Sequence, residues 1–174
     1  MKRTFSLSVV VTAVLFSLIA CGGKETKEAN TEEETVTEET VTEPETAAPA
    51  AGNTLNIEST DQMQYTTNEL KATAGTITLT LKHNGKMEKS VMGHNLVILK
   101  PGTDIAAFAQ KAAEAKATDY IPESEKGSII AHTKVIGGGE SDTIEFTIAE
   151  KGTYDFICSF PGHYAVMKGK LIVE

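Results

Sequence analysis

The chain has 174 residues, of which 40% are hydrophobic and 23% are charged, and its formal net charge is −8 at pH 7. The negative net charge and the lack of a basic cluster exclude a function that depends on binding the phosphates of a nucleic acid. Most of the negative charge precedes residue 52, and residues 52–174 carry a net charge of only −3. Strong long-range steering of partners by the folded part is therefore not expected.

Residues 1–20 have the pattern of a secretory signal peptide. A basic pair near the start is followed by a run of almost wholly apolar or hydroxylic residues. The run has roughly 16 residues, which is short for a transmembrane helix of about 20. Its end, Leu18-Ile19-Ala20-Cys21, resembles the cleavage box of bacterial lipoproteins. This resemblance implies that Cys21 is lipidated and begins the mature protein, and the alternative is an ordinary signal peptide with an incidental cysteine.

Residues 21–51 are predicted to be the lipidated cysteine and a disordered acidic tether. Nine glutamates and two lysines lie among threonine, alanine and proline in residues 24–51. Such a segment has too few apolar side chains to fill a core, and its like charges repel one another. We expect it to hold a folded domain away from the membrane to which Cys21 anchors the chain.

Residues 52–174 have the usual length of one domain. Most of the domain shows alternation of apolar and polar residues in short runs, which is typical of half-buried β-strands. Alternating runs lie near residues 55–57, 63–65, 76–81, 143–148, 154–158 and 171–173, and residues 95–99 are almost continuously apolar. Seven or eight short strands separated by glycine-containing and proline-containing turns predict an all-β sandwich.

One segment has the period of a helix. Between residues 103 and 117, Ile105, Phe108, Ala109 and Ala112 recur at helical spacing among further alanines. Thr103 stands where an N-cap residue is expected. We predict one amphipathic helix against the sandwich that ends before residue 121, and we expect residues 86–90 to form a polar loop.

The candidate metal ligands are concentrated in residues 158–167, Cys-Ser-Phe-Pro-Gly-His-Tyr-Ala-Val-Met. Cys158, His163 and Met167 supply a thiolate, an imidazole and a thioether. His94, in the segment Met92-Gly93-His94-Asn95, offers a second imidazole from far upstream. Because these donors suit a copper ion that changes between Cu(I) and Cu(II), the pattern predicts a mononuclear copper site with one copper per chain.

The motif Cys158-x4-His163-x3-Met167, together with Met92-Gly93-His94-Asn95, resembles the azurins of the cupredoxin family. The segments Asp61-Gln-Met-Gln-Tyr65, Ala131-His-Thr-Lys-Val-Ile-Gly137 and Phe160-Pro-Gly-His163 extend the similarity, which covers essentially residues 53–174. The resemblance implies a Greek-key sandwich of about eight strands with one inserted helix. It also implies a type 1, or blue, copper electron carrier of the bacterial periplasm that is not an enzyme.

The resemblance also implies a role for each ligand. The equatorial ligands would be His94, Cys158 and His163. Met167 would be one weak axial ligand, and the backbone carbonyl of Gly93 would be the other. Azurins normally have a disulfide near the N-terminal end and often a tryptophan after the Met-Gly-His-Asn motif. This chain has no cysteine available for that disulfide and no tryptophan, and Leu96 or a neighbour is expected to fill the tryptophan's space.

Further roles are implied around the ligands. Asn95 would join the two ligand loops by hydrogen bonds, and the backbone N–H of Phe160 would point at the Cys158 sulfur. The edge of His163, within an apolar patch that includes Met92 and Pro161, would be the electron port. Such a patch suits brief contacts with redox partners, a donor and an acceptor, and we expect a monomer.

Three other interpretations of the donor set stay open. A copper chaperone or storage protein uses similar ligands, although it favours an exposed and labile site. A zinc site is conceivable, but structural zinc rarely uses a thioether. A nucleophilic cysteine would need an orienting acid, and the motif offers none. His83, eleven residues before His94, is expected to be a buried core histidine, with redox-linked protonation as the alternative, and His132 is expected at the surface.

Overall fold

The computed structural model describes residues 53–174. The predicted signal peptide, the lipidated Cys21 and the acidic tether lie outside the described residues. The strands are β1 (Thr54–Thr60), β2 (Gln64–Tyr65), β3 (Glu69–Ala72), β4 (Gly75–His83), β5 (Val97–Leu99), β6 (Ile129–His132), β7 (Ser141–Ile148), β8 (Gly152–Ile157) and β9 (Lys168–Val173). The α-helices are α1 (Lys89–Met92) and α2 (Ile105–Glu114), and 3₁₀ turns occupy Lys116–Thr118 and Glu123–Ser128.

The strands form two mixed sheets. The first has the order β2-β1-β4-β7, and the second has the order β3-β9-β8-β5-β6. β1 runs parallel to β4 and β3 runs parallel to β9, while the other neighbours are antiparallel. These sheets and α2 confirm the predicted all-β sandwich with an inserted helix.

The alternation read from the sequence decides which side chains fill the sandwich. Ile77, Leu79 and Leu81 of β4 are fully buried and join one cluster with Phe156 of β8 and Leu171 of β9. Complete burial of such a side chain stabilises the fold by about 1.5–3 kcal/mol. Thr80 lies on the opposite face of β4, where its hydroxyl is 2.8 Å from that of Thr143 on β7.

Helix α2 begins one residue later than predicted. The carboxylate of Asp104 accepts hydrogen bonds from the backbone N–H groups of Ala106 and Ala107, at 3.0 and 3.1 Å. Thr103, the predicted cap, instead donates its hydroxyl to the carbonyl of Lys100 at 2.8 Å. The prediction of Thr103 as the N-cap was therefore wrong. The carboxylate of Asp104 caps the helix instead, and its negative charge also interacts favourably with the helix dipole. Phe108 is buried against the sheet, as its spacing predicted.

Three short elements did not appear in the sequence pattern. Strands β3 and β6 have four residues each, too few for a clear period. Helix α1 occupies Lys89–Met92. The prediction of a loop over residues 86–90 was therefore wrong for residues 89 and 90. The carbonyl of Glu88 accepts from the N–H groups of Val91 and Met92, which closes a single turn that only tertiary contacts reveal.

The topology brings together, at one end of the sandwich, the two segments that carry the predicted ligands, residues 92–95 and 158–167, which we call the ligand segments. β5 and β8 are antiparallel, with Val97 opposite Ile157. Residues just before β5 therefore lie beside residues just after β8. The 158–167 loop leads directly from β8 into β9, its antiparallel neighbour.

No helix among residues 53–174 is long and apolar enough to cross a membrane.

Candidate metal centre

The loop after β8 is closed by hydrogen bonds at both of its ends. The N–H of Cys158 donates to the carbonyl of Met167 at 2.9 Å, and the N–H of Met167 donates to the carbonyl of His163 at 2.8 Å. The N–H of His163 donates to the carbonyl of Phe160 at 3.1 Å. Gly162, inside this turn, has a φ of +83° that glycine adopts without strain. The backbone therefore fixes where the three loop donors stand.

His94, in the segment before β5, is held by backbone hydrogen bonds of its own. It forms an isolated antiparallel bridge with Ile136, with N–H to carbonyl distances of 2.9 and 2.8 Å. Its side chain is fully buried, and neither ring nitrogen has a hydrogen-bond partner among the described residues. Because buried polar atoms are normally satisfied, a metal bound at one of these nitrogens would supply a partner that the described residues do not.

Two donor pairs lie next to each other. The Sγ of Cys158 is 3.7 Å from the Nδ1 of His163, and the rings of His163 and His94 have centroids 5.1 Å apart. Metal bonds of about 2.0 Å to imidazole and about 2.3 Å to thiolate, meeting at about 120°, would separate the donor atoms by about 3.7 Å. The Cys158–His163 pair therefore has the spacing of two ligands of one metal.

The two predicted axial donors, Met167 and the carbonyl of Gly93, lie in the same region. Met167 is fully buried in a cluster with Val135, Cys158 and Phe160. Gly93 precedes His94, and a Cβ there would approach the Lys89 carbonyl to 2.5 Å, so a larger residue would displace the segment. Within residues 53–174, no group of three or more His, Cys, Asp or Glu side chains meets the geometry of a metal-holding cluster. The close contacts are therefore pairwise, with His163 between Cys158 and His94.

Burial controls the protonation of the donors. It raises the pKa of Cys158 to about 11, although the N–H groups of Asn95 and Phe160 and the Tyr65 hydroxyl act in the opposite direction. Burial, followed by repulsion from His83 and His163, lowers the pKa of His94 to about 3. Burial also lowers the pKa of His163. Both imidazoles are thus kept neutral, the state in which they bind metals, while the thiol must release its proton on binding.

The metal-free protein is expected to lose stability as the pH falls below about 6.5. An imidazole in the unfolded chain titrates at its ordinary value of 6.5, whereas the pKa of His94 in the folded protein is about 3. Between these values the unfolded chain binds a proton that the folded protein does not, so the free energy of unfolding decreases with pH. At about pH 5.5 this loss is about 1.4 kcal/mol from His94.

Urea unfolding of the metal-free protein at about pH 7.5 and about pH 5.5 measures this loss. His94→Gln is the control, since glutamine cannot take up the proton. Its loss over the same pH interval should be smaller by about 1.4 kcal/mol. Equal losses in the two proteins would contradict the assignment of the effect to His94.

Asn95 connects the two ligand segments. Its Nδ2 donates to the Oγ of Ser159 at 2.8 Å, and its Oδ1 accepts from the N–H of Ser159, also at 2.8 Å. The next residue, Leu96, is tied by its N–H to the Oγ1 of Thr133 at 2.9 Å. Of these partners the sequence predicts only Asn95, because serine and threonine hydroxyls in or beside a strand pattern give no signal of their own.

The residues predicted for the electron port differ in exposure. Pro161 is exposed and Met92 is half-buried. His163 retains 3% exposure, whereas Cys158 and Met167 have none. Two side chains that the sequence pattern does not single out are also apolar and exposed at this end, Val91 at 56% and Val166 at 62%.

His83 is fully buried and its ring centroid lies 4.4 Å from that of His94. The Nε2 of His83 is 3.3 Å from the Oδ1 of Asp61, but the contact lacks hydrogen-bond geometry. The Asp61 carboxylate instead accepts from the N–H groups of Lys86 and Met87. His132 is exposed at the end of β6.

A β-sandwich that places a buried thiol, two imidazoles and a thioether at one end has the fold and the donor set of a small copper protein. Comparison with known proteins identifies the same class. The chain belongs to the plastocyanin/azurin family of copper-binding proteins, which it matches over residues 51–174. The predicted family and the predicted copper cofactor are thereby confirmed.

Individual relatives support the same conclusion. Azurin-2 of Alcaligenes xylosoxydans xylosoxydans is 45% identical over 120 residues, which cover 66% of this chain and 92% of the relative. The crystal structure of dithionite-reduced auracyanin from Roseiflexus castenholzii is 39% identical, with a TM-score of 0.63 over 72% of this chain and 99% of that one. The azurin Az-iso2 of Methylomonas sp. strain J is 32% identical, with a TM-score of 0.64 over 71% and 99%.

Proposed function

We propose that this chain is a type 1 copper electron-transfer protein that binds one copper and cycles it between Cu(I) and Cu(II). The ligands would be His94, Cys158, His163 and Met167, with the Gly93 carbonyl as a weak axial contact. The observation that carries the proposal is the buried Cys158–His163 pair at 3.7 Å in a chain of the plastocyanin/azurin family. We infer an electron carrier and not an enzyme.

Copper, when bound, supplies the one-electron couple. The protein would supply a rigid arrangement of donors that suits both oxidation states. The ladder between β5 and β8 fixes the two ligand segments relative to each other, and Asn95 ties them by two further hydrogen bonds. Complete burial of Cys158 and Met167 excludes water from the sulfur donors.

The electron would enter and leave at His163. Among the ligand side chains it alone keeps some exposure, and Pro161 and Met92 flank the same end. A small apolar surface suits a transient contact, because little area is buried and dissociation stays fast. The partners we propose are redox proteins, one donor and one acceptor, that dock on the monomer in turn.

The sequence before residue 52 supports a location at the bacterial cell envelope. We propose that residues 1–20 direct export to the periplasm, that Cys21 carries the lipid, and that residues 21–51 form the tether of the 52–174 domain. Fractionation of cells tests the anchor. We expect the protein in the membrane fraction, and a fully soluble periplasmic protein would contradict lipidation.

A copper chaperone or storage protein is the alternative function, and it differs in what happens on reduction. A carrier keeps its copper in both oxidation states, whereas a chaperone releases Cu(I) to a competing ligand. Repeated reduction by ascorbate and oxidation by ferricyanide, in the presence of a Cu(I) chelator, separates the two. A visible band that returns in full after each cycle supports the carrier, and transfer of the copper to the chelator contradicts it.

A further inference from the structure

Tyr65 lies beside the candidate metal centre and has no role in the proposed ligand set. It ends β2, where it pairs with Ser59 of β1 in the first sheet. Its hydroxyl donates a hydrogen bond to the backbone carbonyl of Asn95, in the segment that carries His94. Its ring packs edge to face on Phe156, with centroids 5.7 Å apart. Tyr65 therefore joins the first sheet to the backbone that follows His94.

Tyr65 as a whole is half-buried, but its hydroxyl lies in a buried environment. Its burial, and the neighbouring Cys158 thiol, hold the pKa of Tyr65 well above its usual range. The hydroxyl therefore stays protonated and can donate. The hydroxyl has a single proton, and the hydrogen-bond geometry assigns it to the Asn95 carbonyl. The Cys158 sulfur is therefore a neighbour of the Tyr65 oxygen and not its acceptor.

The contacts of Asn95 show what this hydrogen bond fixes. The peptide that follows Asn95 is held at its carbonyl by Tyr65 and at its N–H, that of Leu96, by Thr133. The Asn95 side chain is held by Ser159. The remaining polar group, the N–H of Asn95 itself, faces the Cys158 sulfur and acts to lower the pKa of that thiol. The peptide that contains this N–H is held on its other side at the carbonyl of His94, which accepts from the N–H of Ile136 at 2.8 Å. Rotation of the Asn95 N–H away from the sulfur would therefore strain the bonds to Ile136 on one side and to Tyr65 on the other.

We propose that Tyr65 is a positioning residue of the metal centre, whose hydroxyl anchors the Asn95 carbonyl and so keeps the Asn95 N–H directed at the Cys158 sulfur. The inference rests on the proposed copper function. A donor directed at a thiolate ligand stabilises the more electron-rich, reduced state. Weakening this donor therefore lowers the reduction potential.

The test is Tyr65→Phe in the copper-loaded full chain, with Tyr154→Phe as the matched control. Tyr154 also donates its hydroxyl to a backbone carbonyl, that of Glu150 at 2.7 Å. It stands four residues before Cys158 on β8, about 13 Å along the strand. Each substitution removes one oxygen and one hydrogen bond of the same kind, so a general loss of stability affects both variants.

Redox titration of the visible band gives the first readout. Tyr65→Phe is expected to remain blue with a lower potential. At the wild-type midpoint its oxidised-to-reduced ratio should rise about threefold, a shift of about 30 mV, since tenfold in a one-electron couple is about 59 mV. Tyr154→Phe should titrate as the wild type. The inference is overturned if Tyr65→Phe keeps the wild-type potential.

Amide hydrogen exchange of Asn95 in the metal-free protein gives a second readout that needs no copper. We expect exchange at Asn95 to be severalfold faster in Tyr65→Phe than in the wild type and unchanged in Tyr154→Phe. Equal exchange in all three proteins would refute the positioning role. A wild type that binds copper without a blue band would instead refute the proposed function, while the exchange data still decide the role of Tyr65.

Discussion

Replacement of Cys158 by serine is expected to abolish the intense visible colour of the copper-loaded protein. The colour of a blue copper centre is a charge transfer from thiolate to Cu(II), and Cys158 is the thiol of the described residues. A hydroxyl is a harder ligand and does not replace thiolate toward Cu(I). We expect affinity for Cu(I) to fall by more than about 100-fold, beyond the effect of losing an outer hydrogen bond.

The fold should survive this change, because the N–H groups of Asn95 and Phe160 that face the sulfur can also bond a serine oxygen. Circular dichroism checks the fold, and absorption spectra with a competing Cu(I) chelator measure colour and affinity. The matched control is Cys21→Ser, which alters the other cysteine of the chain and should leave the colour intact. A Cys158→Ser protein that stays blue would refute the ligand assignment.

Asn95→Ala is expected to lower the free energy of unfolding of the metal-free protein by about 2–4 kcal/mol. The substitution leaves the buried N–H and hydroxyl of Ser159 without the two 2.8 Å bonds that Asn95 supplies. It also removes two of the hydrogen bonds that join the segment before β5 to the segment after β8. We therefore expect the copper-loaded variant to have a lower reduction potential and faster loss of copper than the wild type.

Asn53→Ala provides the matched control. Asn53 is buried and makes a comparable set of bonds, to the carbonyl of Thr76 and from the N–H and hydroxyl of Thr73. It precedes β1, whereas the metal centre lies near the other end of that strand, where Ser59 pairs with His83. Its loss should destabilise the protein by a similar amount without changing the potential. Equal effects of both variants on the potential would contradict a specific role for Asn95.

The sequence predicted the parts of the fold that carry a strong period. Ile77, Leu79 and Leu81 alternate with threonines over one strand, and all three are buried. Phe108 and Ala112 share one face of α2 for the same reason. Both patterns are local, because the spacing of the apolar residues within one segment is enough to predict which face is buried.

Other features depend on contacts between distant segments. The N-cap of α2 was placed one residue early, because threonine and aspartate are adjacent and both can cap. Helix α1 is a single turn held by Glu88 and ended at Gly93. Tyr65 gave no functional signal, since its hydroxyl meets Asn95 across 30 positions of the chain. Such a partner becomes visible only when the sheets are assembled.

The candidate ligands were named from their chemistry and spacing, with their roles taken from the azurin resemblance. The structure places Cys158 beside His163 and His163 beside His94. It also places His83 against His94, and the azurin resemblance implies such a buried histidine near the site. What the sequence could not supply was the exposure of Val91 and Val166, since alternation in a short loop does not separate inside from outside.

The most direct test of the copper assignment is a titration of the metal-free protein with Cu(II), followed by its visible spectrum. We predict an intense thiolate-to-copper band that grows linearly and saturates at one copper per chain. The band should bleach on reduction and return on oxidation. A protein that binds copper without this band, or that saturates at a different stoichiometry, would contradict a mononuclear blue copper centre built on Cys158.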